Sequence, residues 1–342
     1  MTRLPALDKN RLAAYLEAEL PEFSGLQEIT GFADGQSNPT YLLTARSGRF
    51  VLRRKPAGQL LKSAHAVDRE YRVMRALADS PVPVPEMLHL CLDETIIGSV
   101  FFVMRFVAGR TFWNPALPEL DPPSRARCYD QMNKALVAIH SVDPDMAGLS
   151  DFGKPGNYFD RQISRWTDQY RKSETEIIPD MEAVISWLEA NRIPDDGRAG
   201  LVHGDYRIDN MIFSETGDQL LAVLDWELST LGHPFADLAY QCAVWRMPPS
   251  RVLHGLRSAD RAQLGIPDDA AYIADYCRRM GLDGIDNWPF YLVFSLFRLA
   301  AIVQGVKKRA LDGNAASSHA TEVGALVFPL AAEAAHIAEF GS

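Results

Sequence analysis

The segment LVHGDYRIDNMIF carries three polar residues that could act on a substrate, His203, Asp205 and Asn210. A further carboxylate, Asp225, directly follows the apolar run LLAVL. An aspartate can take a proton from a hydroxyl group, and carboxylate and amide oxygens are the hard ligands that Mg²⁺ prefers. Phosphoryl transfer needs an oriented nucleophile and neutralised phosphate charge. The pattern therefore predicts a site that transfers a phosphoryl group.

The order and spacing of these residues are those of the catalytic loop of protein kinases, HxDxxxxN, with a later aspartate at the end of a strand. This arrangement makes Asp205 the catalytic base, and it makes Asn210 and Asp225 the magnesium ligands. His203 is expected to support the loop by hydrogen bonding. A polar loop in which Asp and Asn serve only as caps is the alternative, but the ordered trio with its flanking strands favours the catalytic interpretation.

A small polar turn between the first two predicted strands is where a loop covering nucleotide phosphates would lie. Its residues are Gly35, Gln36, Ser37, Asn38 and Thr40. The turn is a weak signal on its own, because small polar residues form turns in many proteins. The sequence contains no GxxxxGK[ST] motif, which argues against a P-loop enzyme.

Two basic residues near the end of the third predicted strand, Arg53 and Lys55, are candidates for a contact with the nucleotide phosphates. They share one face of the strand because side chains alternate, so the pattern leaves both open. We favour Arg53, since Lys55 precedes the strand-breaking Pro56. Glu70, in the next predicted helix, is expected to pair with the phosphate-binding cation. A solvated helix position is the alternative for Glu70.

The elements that must position these residues differ between the two parts of the chain. In the first part the pattern predicts helices over 8–20 and 66–77 and strands over 26–32, 39–45, 49–53, 87–92 and 100–107. After Gly109 it predicts helices over 123–140, 158–173, 180–191, 269–280 and 287–306, and a pair of hairpins over 200–224. The predicted fold class is α+β, with a small antiparallel sheet in lobe 1–107 and a mainly helical lobe 108–342.

Several segments resemble the aminoglycoside phosphotransferase-like family of small-molecule kinases. They are LVHGDYRIDNMIF, LAVLDWELSTLGHPFADLAY, FVLRRKPAGQLLKSAHAVDREYRVMRAL and FFVMRFVAGRTFW, and the likeness spans about residues 25–310. Within the family, the chain is most similar to the kinase-like domain fused to some acyl-CoA dehydrogenases. The resemblance implies a bilobal protein-kinase-like fold that binds ATP at the lobe interface.

The resemblance also implies roles for particular residues. A hinge over 104–107 would hold adenine through the backbone of Arg105 and Val107. Lobe 1–107 would bind the nucleotide, and lobe 108–342 would carry catalysis and bind the acceptor. Arg53 departs from the lysine of antibiotic kinases, but choline kinase-like members also use arginine there, so the departure does not exclude activity.

The acceptor is less well defined by the sequence. The predicted helix 158–173 places Arg161 and Arg165 at near-helical spacing. This basic face is either an anchor for an anionic acceptor, such as the phosphates of an acyl-CoA thioester, or a solvated surface. Glu227, two residues after Asp225, lies near a second metal or is solvated, and we include it among the candidate substrate residues.

Composition excludes some partners and leaves others open. The 342 residues include 44 acidic and 35 basic residues, a net charge of −9, which argues against a dedicated nucleic-acid-binding protein. The four cysteines form no CxxC pair, and the N-terminus lacks the apolar core of a signal peptide. We therefore expect a cytoplasmic protein with a small-molecule hydroxyl acceptor and no membrane or nucleic-acid partner. The sequence leaves the oligomeric state open.

The predicted function is ATP- and Mg²⁺-dependent transfer of the γ-phosphate to a hydroxyl of a small molecule. A hydroxyacyl-CoA or related hydroxy acid is the favoured acceptor. The alternatives are an aminoglycoside or choline-type kinase and a non-catalytic nucleotide-binding pseudokinase. An intact Asp205–Asn210–Asp225 set favours an enzyme, because a binding-only descendant need not keep it.

Overall fold

A computed structural model describes residues 7–32, 38–56, 66–154, 156–250, 252–313 and 319–341. The chain divides into two compact units. The first runs to Gly109 and also takes in Leu221–Ser229, while the second comprises Arg110–Leu220 and the chain from Thr230 onward. The predicted division at residue 107 placed the segment Leu221–Ser229 in the second lobe, whereas the structure places it in the first unit. It belongs to the first unit because it is bound there: the Val223 amide donates to the Pro83 carbonyl at 2.8 Å.

A five-stranded antiparallel sheet with strand order β1-β2-β3-β5-β4 forms the centre of the first unit. Each strand and helix predicted in this part of the chain is present, with ends within two residues of the prediction. The strands are β1 (Leu26–Gly31), β2 (Thr40–Ala45), β3 (Gly48–Arg54), β4 (Met87–Cys91) and β5 (Phe101–Arg105), and the helices are α1 (Lys9–Glu19) and α2 (Val67–Ala76).

Strand β3 separates an apolar core from a charged face. Phe50 and Leu52 are fully buried in the core cluster that includes Leu12 and Leu16 of α1. Side chains alternate along a strand, so Arg53 points away from the face that Leu52 occupies. This alternation directs Arg53 away from the core.

The second unit is mainly helical. Its helices are α3 (Pro122–His140), α4 (Tyr158–Ser173), α5 (Pro179–Ala190), α6 (Phe235–Trp245), α7 (Arg261–Leu264), α8 (Asp269–Met280), α9 (Trp288–Leu311), α10 (Ala320–Ala325) and α11 (Val327–Phe340). The short strands after Gly109 are β6 (Gly200–Val202), β7 (Met211–Phe213), β8 (Leu220–Val223) and β9 (Thr230–Gly232), and the unit boundary falls within β8. The five helices predicted here are present, and α9 continues beyond its predicted end at Val306.

Helix α9, predicted from the sequence over 287–306, is a core helix of the second unit. Every residue from Phe290 to Arg298 is buried. By length and composition alone α9 could cross a membrane, but 78% of its apolar window is buried inside the protein. The segment Ala320–Phe340 passes the same test with 33% burial, which is weak evidence because apolar helices of soluble proteins pass it too. The antiparallel sheet and the helical second part together confirm the α+β class.

The pairing of β6 corrects the prediction of two successive hairpins over 200–224. β6 pairs antiparallel with β9, in the register Leu201 with Leu231, and not with the next strand along the chain. The hairpin predicted to begin at β6 is absent because a local turn sets the register of a hairpin, whereas this partner strand lies far along the sequence. The second predicted hairpin is present, and across its turn the Ser214 amide donates to the Gln219 carbonyl at 2.9 Å. The pairing fixes the end of β6, from which the chain enters the loop at His203.

Candidate active site

Asp205 lies in the loop between β6 and a single 3-10 turn formed by Ile208–Asn210. Both of its carboxylate oxygens accept hydrogen bonds. Tyr240 Oη donates to Oδ1 at 2.6 Å, and Asn210 Nδ2 donates to Oδ2 at 3.0 Å. Asn210 Nδ2 also donates to the Asp205 carbonyl at 2.9 Å. The amide oxygen of Asn210 is therefore the atom that can ligate a metal.

Arg207 places a positive charge beside Asp205. Its Nε lies 3.1 Å from Asp205 Oδ1, and its Nη2 lies 3.1 Å from Asp209 Oδ2. Burial by itself raises the pKa of Asp205, but Arg207, Tyr240 and Asn210 lower that pKa below its ordinary value. The carboxylate is therefore ionised at neutral pH, which a proton acceptor requires.

Asp237, on α6, holds the backbone of the same loop. Its oxygens accept hydrogen bonds from the amides of His203 at 2.6 Å and Gly204 at 2.8 Å, and His140 Nε2 lies 3.4 Å away. Burial would raise the pKa of Asp237, but His140 and these backbone donors lower it. Asp237 lies in the first turn of α6, and its carboxylate binds the amides of the loop.

His203 has the supporting role that the sequence analysis expected. Its side chain is fully buried, and its Nδ1 accepts a hydrogen bond from the Asp205 amide at 3.2 Å. The backbone amides of residues 203, 204 and 205 are thus held by the buried side chains of Asp237 and His203. This fixes the chain that carries the candidate base.

In the first unit, three carboxylates surround Arg53. Arg53 Nε lies 3.0 Å from Glu70 Oε2, and Nη2 lies 2.5 Å from Asp225 Oδ1 and 3.9 Å from Glu227 Oε2. The side chains of Arg53 and Glu70 are only 13% and 2% exposed. Arg53, the predicted partner of Glu70, is therefore in contact with it. Lys55 lies one residue beyond the end of β3. Contact with phosphates stays a prediction for Arg53.

The charges of this cluster do not balance. Burial alone would lower the pKa of Arg53, but the three carboxylates raise it, so the guanidinium stays charged. Burial raises the pKa of Glu70. Arg53 opposes this increase, whereas the carboxylates of Asp225 and Glu227 add to it. One cation thus faces three acidic groups, and a bound cation would offset the excess negative charge.

The residues present fit a magnesium ion that is held only partly by protein. Asp225 has left-handed backbone angles, φ 65° and ψ 55°, a strained conformation that is often retained at functional sites. Asp225 in the first unit has a carboxylate oxygen and Asn210 in the second has an amide oxygen, donor types that Mg²⁺ takes together with water and phosphate oxygens, and their role as ligands stays a prediction. Within the residues that the structure describes, no group of three or more His, Cys, Asp or Glu side chains has the arrangement of a metal site.

The predicted phosphate-covering turn is described only at its end. Gly35, Gln36 and Ser37 lie outside the described residues. Asn38 is 2% exposed, and its Nδ2 donates to Glu227 Oε2 at 3.2 Å. Thr40 Oγ1 donates to the Asn38 carbonyl at 3.0 Å. Asn38 therefore joins the turn to the carboxylates around Arg53.

The predicted hinge over 104–107 begins in the last two residues of β5. The Arg105 amide donates to the Glu86 carbonyl at 2.8 Å, and the Arg105 guanidinium lies 2.9 Å from the Glu86 carboxylate. Because the Arg105 amide is already bonded, any adenine contact at this residue falls to its carbonyl oxygen. Val107, two residues on, is half-buried.

The three candidate substrate residues lie in different units. On α4, Arg161 donates to the Lys154 carbonyl at 2.6 Å, and the exposed Arg165 lies 5.3 Å from the ring centroid of Trp166. Glu227 belongs to the first unit, in the cluster around Arg53. Their contact with an acceptor stays a prediction.

Sequence reasoning missed four residues that hold the candidate base or its loop. Arg207, Asp237 and Tyr240 make the contacts described above, and Arg298 Nη2 donates to the Gly204 carbonyl at 2.8 Å. Arg207 lies within the quoted segment and could have been found from its place beside Asp205. The other three come from α6 and α9, and no spacing in the sequence links them to the loop.

The model of the phosphotransferase enzyme family matches residues 28–289. The chain belongs to this family. Over 328 residues, this phosphotransferase family member is 48% identical to acyl-CoA dehydrogenase family member 10 of Mus musculus, an alignment that covers 95% of the chain and 31% of the relative. The chain spans 31% to 42% of the length of the curated relatives it matches.

Solved structures confirm the predicted fold of this phosphotransferase family member. The crystal structure of a putative aminoglycoside phosphotransferase from Ralstonia eutropha JMP134 matches with a TM-score of 0.88 and 45% identity, over 98% of this chain and 99% of the other. A ternary complex of a thermostable mutant of aminoglycoside phosphotransferase APH(4)-Ia with AMP-PNP and hygromycin B matches with a TM-score of 0.64 and 18% identity, over 97% and 99%. The second likeness concerns the fold alone.

Proposed function

We propose that this protein is a small-molecule kinase that transfers the γ-phosphate of ATP to a hydroxyl group, with Asp205 as the base. One observation carries the proposal. The Asp205 carboxylate is ionised, and both Tyr240 and Asn210 donate to it, in a loop with the HxDxxxxN spacing. Membership of the phosphotransferase family supports the same reaction class.

The hydrogen bonds of Asp205 indicate which oxygen acts as the base. Each carboxylate oxygen can accept two hydrogen bonds. Oδ1 accepts from Tyr240 and is contacted by Arg207, whereas among the described residues Oδ2 accepts only from Asn210. Oδ2 therefore keeps a lone pair for the acceptor hydroxyl, whose proton it takes as the oxygen attacks phosphorus.

The first unit supplies the groups for the nucleotide. Arg53, oriented by Glu70, contacts the phosphates, and the turn ending at Asn38 and Thr40 covers them. The backbone at Arg105 and Val107 holds adenine. The AMP-PNP complex of the distant structural relative supports nucleotide use.

Asn210 and Asp225 are the residues that would hold Mg²⁺, through one amide and one carboxylate oxygen. When bound, the ion neutralises phosphate charge that builds up during transfer. Arg53 Nη2 lies 2.5 Å from Asp225 Oδ1, so the guanidinium neutralises part of the charge on that carboxylate. The contact keeps the metal-binding carboxylate next to the residue that binds phosphate.

A hydroxyacyl-CoA or a free hydroxy acid is the proposed acceptor. The relative at 48% identity is an acyl-CoA dehydrogenase family member, which supports a CoA thioester. Arg207 lies next to the base, and Arg161 and Arg165 lie on α4 of the same unit, which suits an anionic acceptor. A polycationic aminoglycoside is the second candidate, supported by the likeness to the aminoglycoside phosphotransferase structure at 45% identity. A choline-type kinase and a binding-only pseudokinase are the remaining alternatives.

ADP release in a coupled assay with ATP and Mg²⁺ tests this proposal. The acceptors are 3-hydroxybutyryl-CoA, 3-hydroxybutyrate, kanamycin and choline, and mass spectrometry identifies the phosphorylated product. We expect phosphorylation of the thioester or the hydroxy acid, and its loss in Asp205→Asn. Turnover of kanamycin or choline alone would overturn the acceptor assignment. Binding of ATP with no turnover of any acceptor or of water would favour the pseudokinase.

A further inference from the structure

Tyr240 is a buried side chain of α6 whose hydroxyl contacts the candidate base. It is 5% exposed, and its Oη lies 2.6 Å from Asp205 Oδ1, a short distance typical of a bond to a charged acceptor. Burial and the neighbouring Asp205 raise the pKa of Tyr240 far above its ordinary value. The hydroxyl therefore remains protonated and acts only as a donor.

Tyr240 differs from the other groups that contact this carboxylate. Asn210 and Arg207 lie within five residues of Asp205, on the same stretch of chain between β6 and β7. Arg207 is also shared with Asp209, and its side chain is 27% exposed. Tyr240 comes from a helix whose residues are all buried, so its hydroxyl ties the carboxylate to the packed interior of the unit.

Arg298 strengthens this connection from a second helix. It is 7% exposed, and its Nη2 donates to the carbonyl of Gly204, the residue before Asp205. Its guanidinium carbon lies 5.8 Å from the ring centroid of Tyr240 and 5.7 Å from that of Trp166. A cation against an aromatic ring is attractive at these distances and restricts the ring. The Tyr240 ring thus lies beside a cation that is itself bonded to the loop.

We propose that Tyr240 is a positioning residue for Asp205, whose hydroxyl fixes the rotation of the carboxylate so that Oδ2 is presented to the acceptor. A carboxylate held by donors on both oxygens cannot rotate about its Cβ–Cγ bond without breaking one of them. Only Tyr240 supplies that restraint from outside the loop among the described residues. The effect on turnover rests on the proposed function, whereas the orientation of Asp205 can be tested independently of it.

Tyr240→Phe tests this proposal because it removes one oxygen and keeps the ring. Tyr129→Phe is the matched control: Tyr129 is fully buried in the same unit, and its hydroxyl donates to the Pro115 carbonyl at 2.5 Å. ATP hydrolysis with water as acceptor measures turnover without an identified acceptor. Crystal structures of the wild type and of Tyr240→Phe measure the Asp205 side-chain torsions.

We expect Tyr240→Phe to lower kcat for ATP by about 10- to 100-fold, the cost of one hydrogen bond to a charged group. The KM for ATP should stay within about twofold, because the Tyr240 hydroxyl that is removed bonds to Asp205, and Tyr129→Phe should keep the wild-type kcat. The Asp205 carboxylate should rotate or occupy two conformers. An unmoved carboxylate, or a kcat equal to that of Tyr129→Phe, would overturn the proposal. A wild-type protein without turnover would count against the proposed function alone, since the crystal structures then decide the role of Tyr240.

Discussion

Asp237→Asn is the substitution that most sharply perturbs the loop carrying the candidate base. The carboxylate of Asp237 is 1% exposed, and it accepts the amides of His203 and Gly204 at 2.6 and 2.8 Å. Asparagine has nearly the same shape but offers one acceptor oxygen and one NH₂ group. At least one buried backbone amide of the loop therefore faces a donor and loses its partner.

The expected size of the effect follows from the type of bond that is lost. A hydrogen bond to a charged group contributes about 1.5–3 kcal/mol, and a buried donor without a partner is costly. If the loss appears as easier local opening, the amides of residues 203 and 204 exchange about 10- to 150-fold faster with deuterium. Hydrogen exchange is the suitable observable because two compact units need not unfold in one step.

Hydrogen-exchange mass spectrometry on peptides that cover residues 201–206 measures this opening. Asp121→Asn is the control: Asp121 accepts the Ser124 amide at 2.8 Å as the exposed N-cap of α3, where asparagine caps equally well. Exchange at 201–206 should stay at the wild-type rate in this control. A rate in Asp237→Asn within twofold of the wild type would refute the reasoning.

The difference in hydrogen exchange between the wild type and Asp237→Asn should depend on pH in a defined way. The pKa of Asp237 in the folded protein lies below its ordinary value of 3.8, because His140 and backbone donors outweigh the effect of burial. Its stabilising contribution is therefore complete above pH 3.8 and is lost as the pH falls through the lowered pKa. The range from pH 5 to pH 7 lies roughly one unit or more above the ordinary pKa of 3.8, so the difference in exchange between wild type and Asp237→Asn should be constant there. The difference should shrink only in stronger acid.

Two further predictions concern the cluster around Arg53. Arg53→Ala should weaken ATP binding by about tenfold or more, because it removes a charged phosphate contact, while Lys55→Ala should stay within about twofold; equal losses in equilibrium dialysis would contradict the assignment. Asp225→Ala should abolish the enhancement of ATP affinity by Mg²⁺, because it removes a proposed ligand, and titration calorimetry that showed unchanged metal dependence would exclude that role.

Local patterns were sufficient to predict much of the first unit and the contact between Asp205 and Asn210 in the second. Alternation along β3 left Arg53 and Lys55 as candidates, the position of Pro56 favoured Arg53, and the structure places Arg53 against Glu70. Asp205 and Asn210 are in contact because their short separation brackets a single turn. These relationships depend on neighbours in sequence or on strand periodicity, and both can be read from residue types.

Contacts made by buried helices could not be predicted in this way. All eleven residues of α6 are buried, so the helix lacks the apolar and polar alternation that reveals an amphipathic helix. The contacts of Asp237 and Tyr240 therefore had no signal in the sequence. The β6–β9 pairing and the placement of Leu221–Ser229 in the first unit depend on long-range packing, which short sequence windows do not encode.

The claim that Asp205 is the catalytic base is tested most directly by measuring ATP binding and phosphoryl transfer in the same preparation of Asp205→Ala. The acceptor is the best substrate among 3-hydroxybutyryl-CoA, 3-hydroxybutyrate, kanamycin and choline. We predict a Kd for ATP with Mg²⁺ within about twofold of the wild type and a transfer rate lower by about 10²- to 10⁴-fold, the usual contribution of a positioned base. Transfer by Asp205→Ala at the wild-type rate would contradict the assignment.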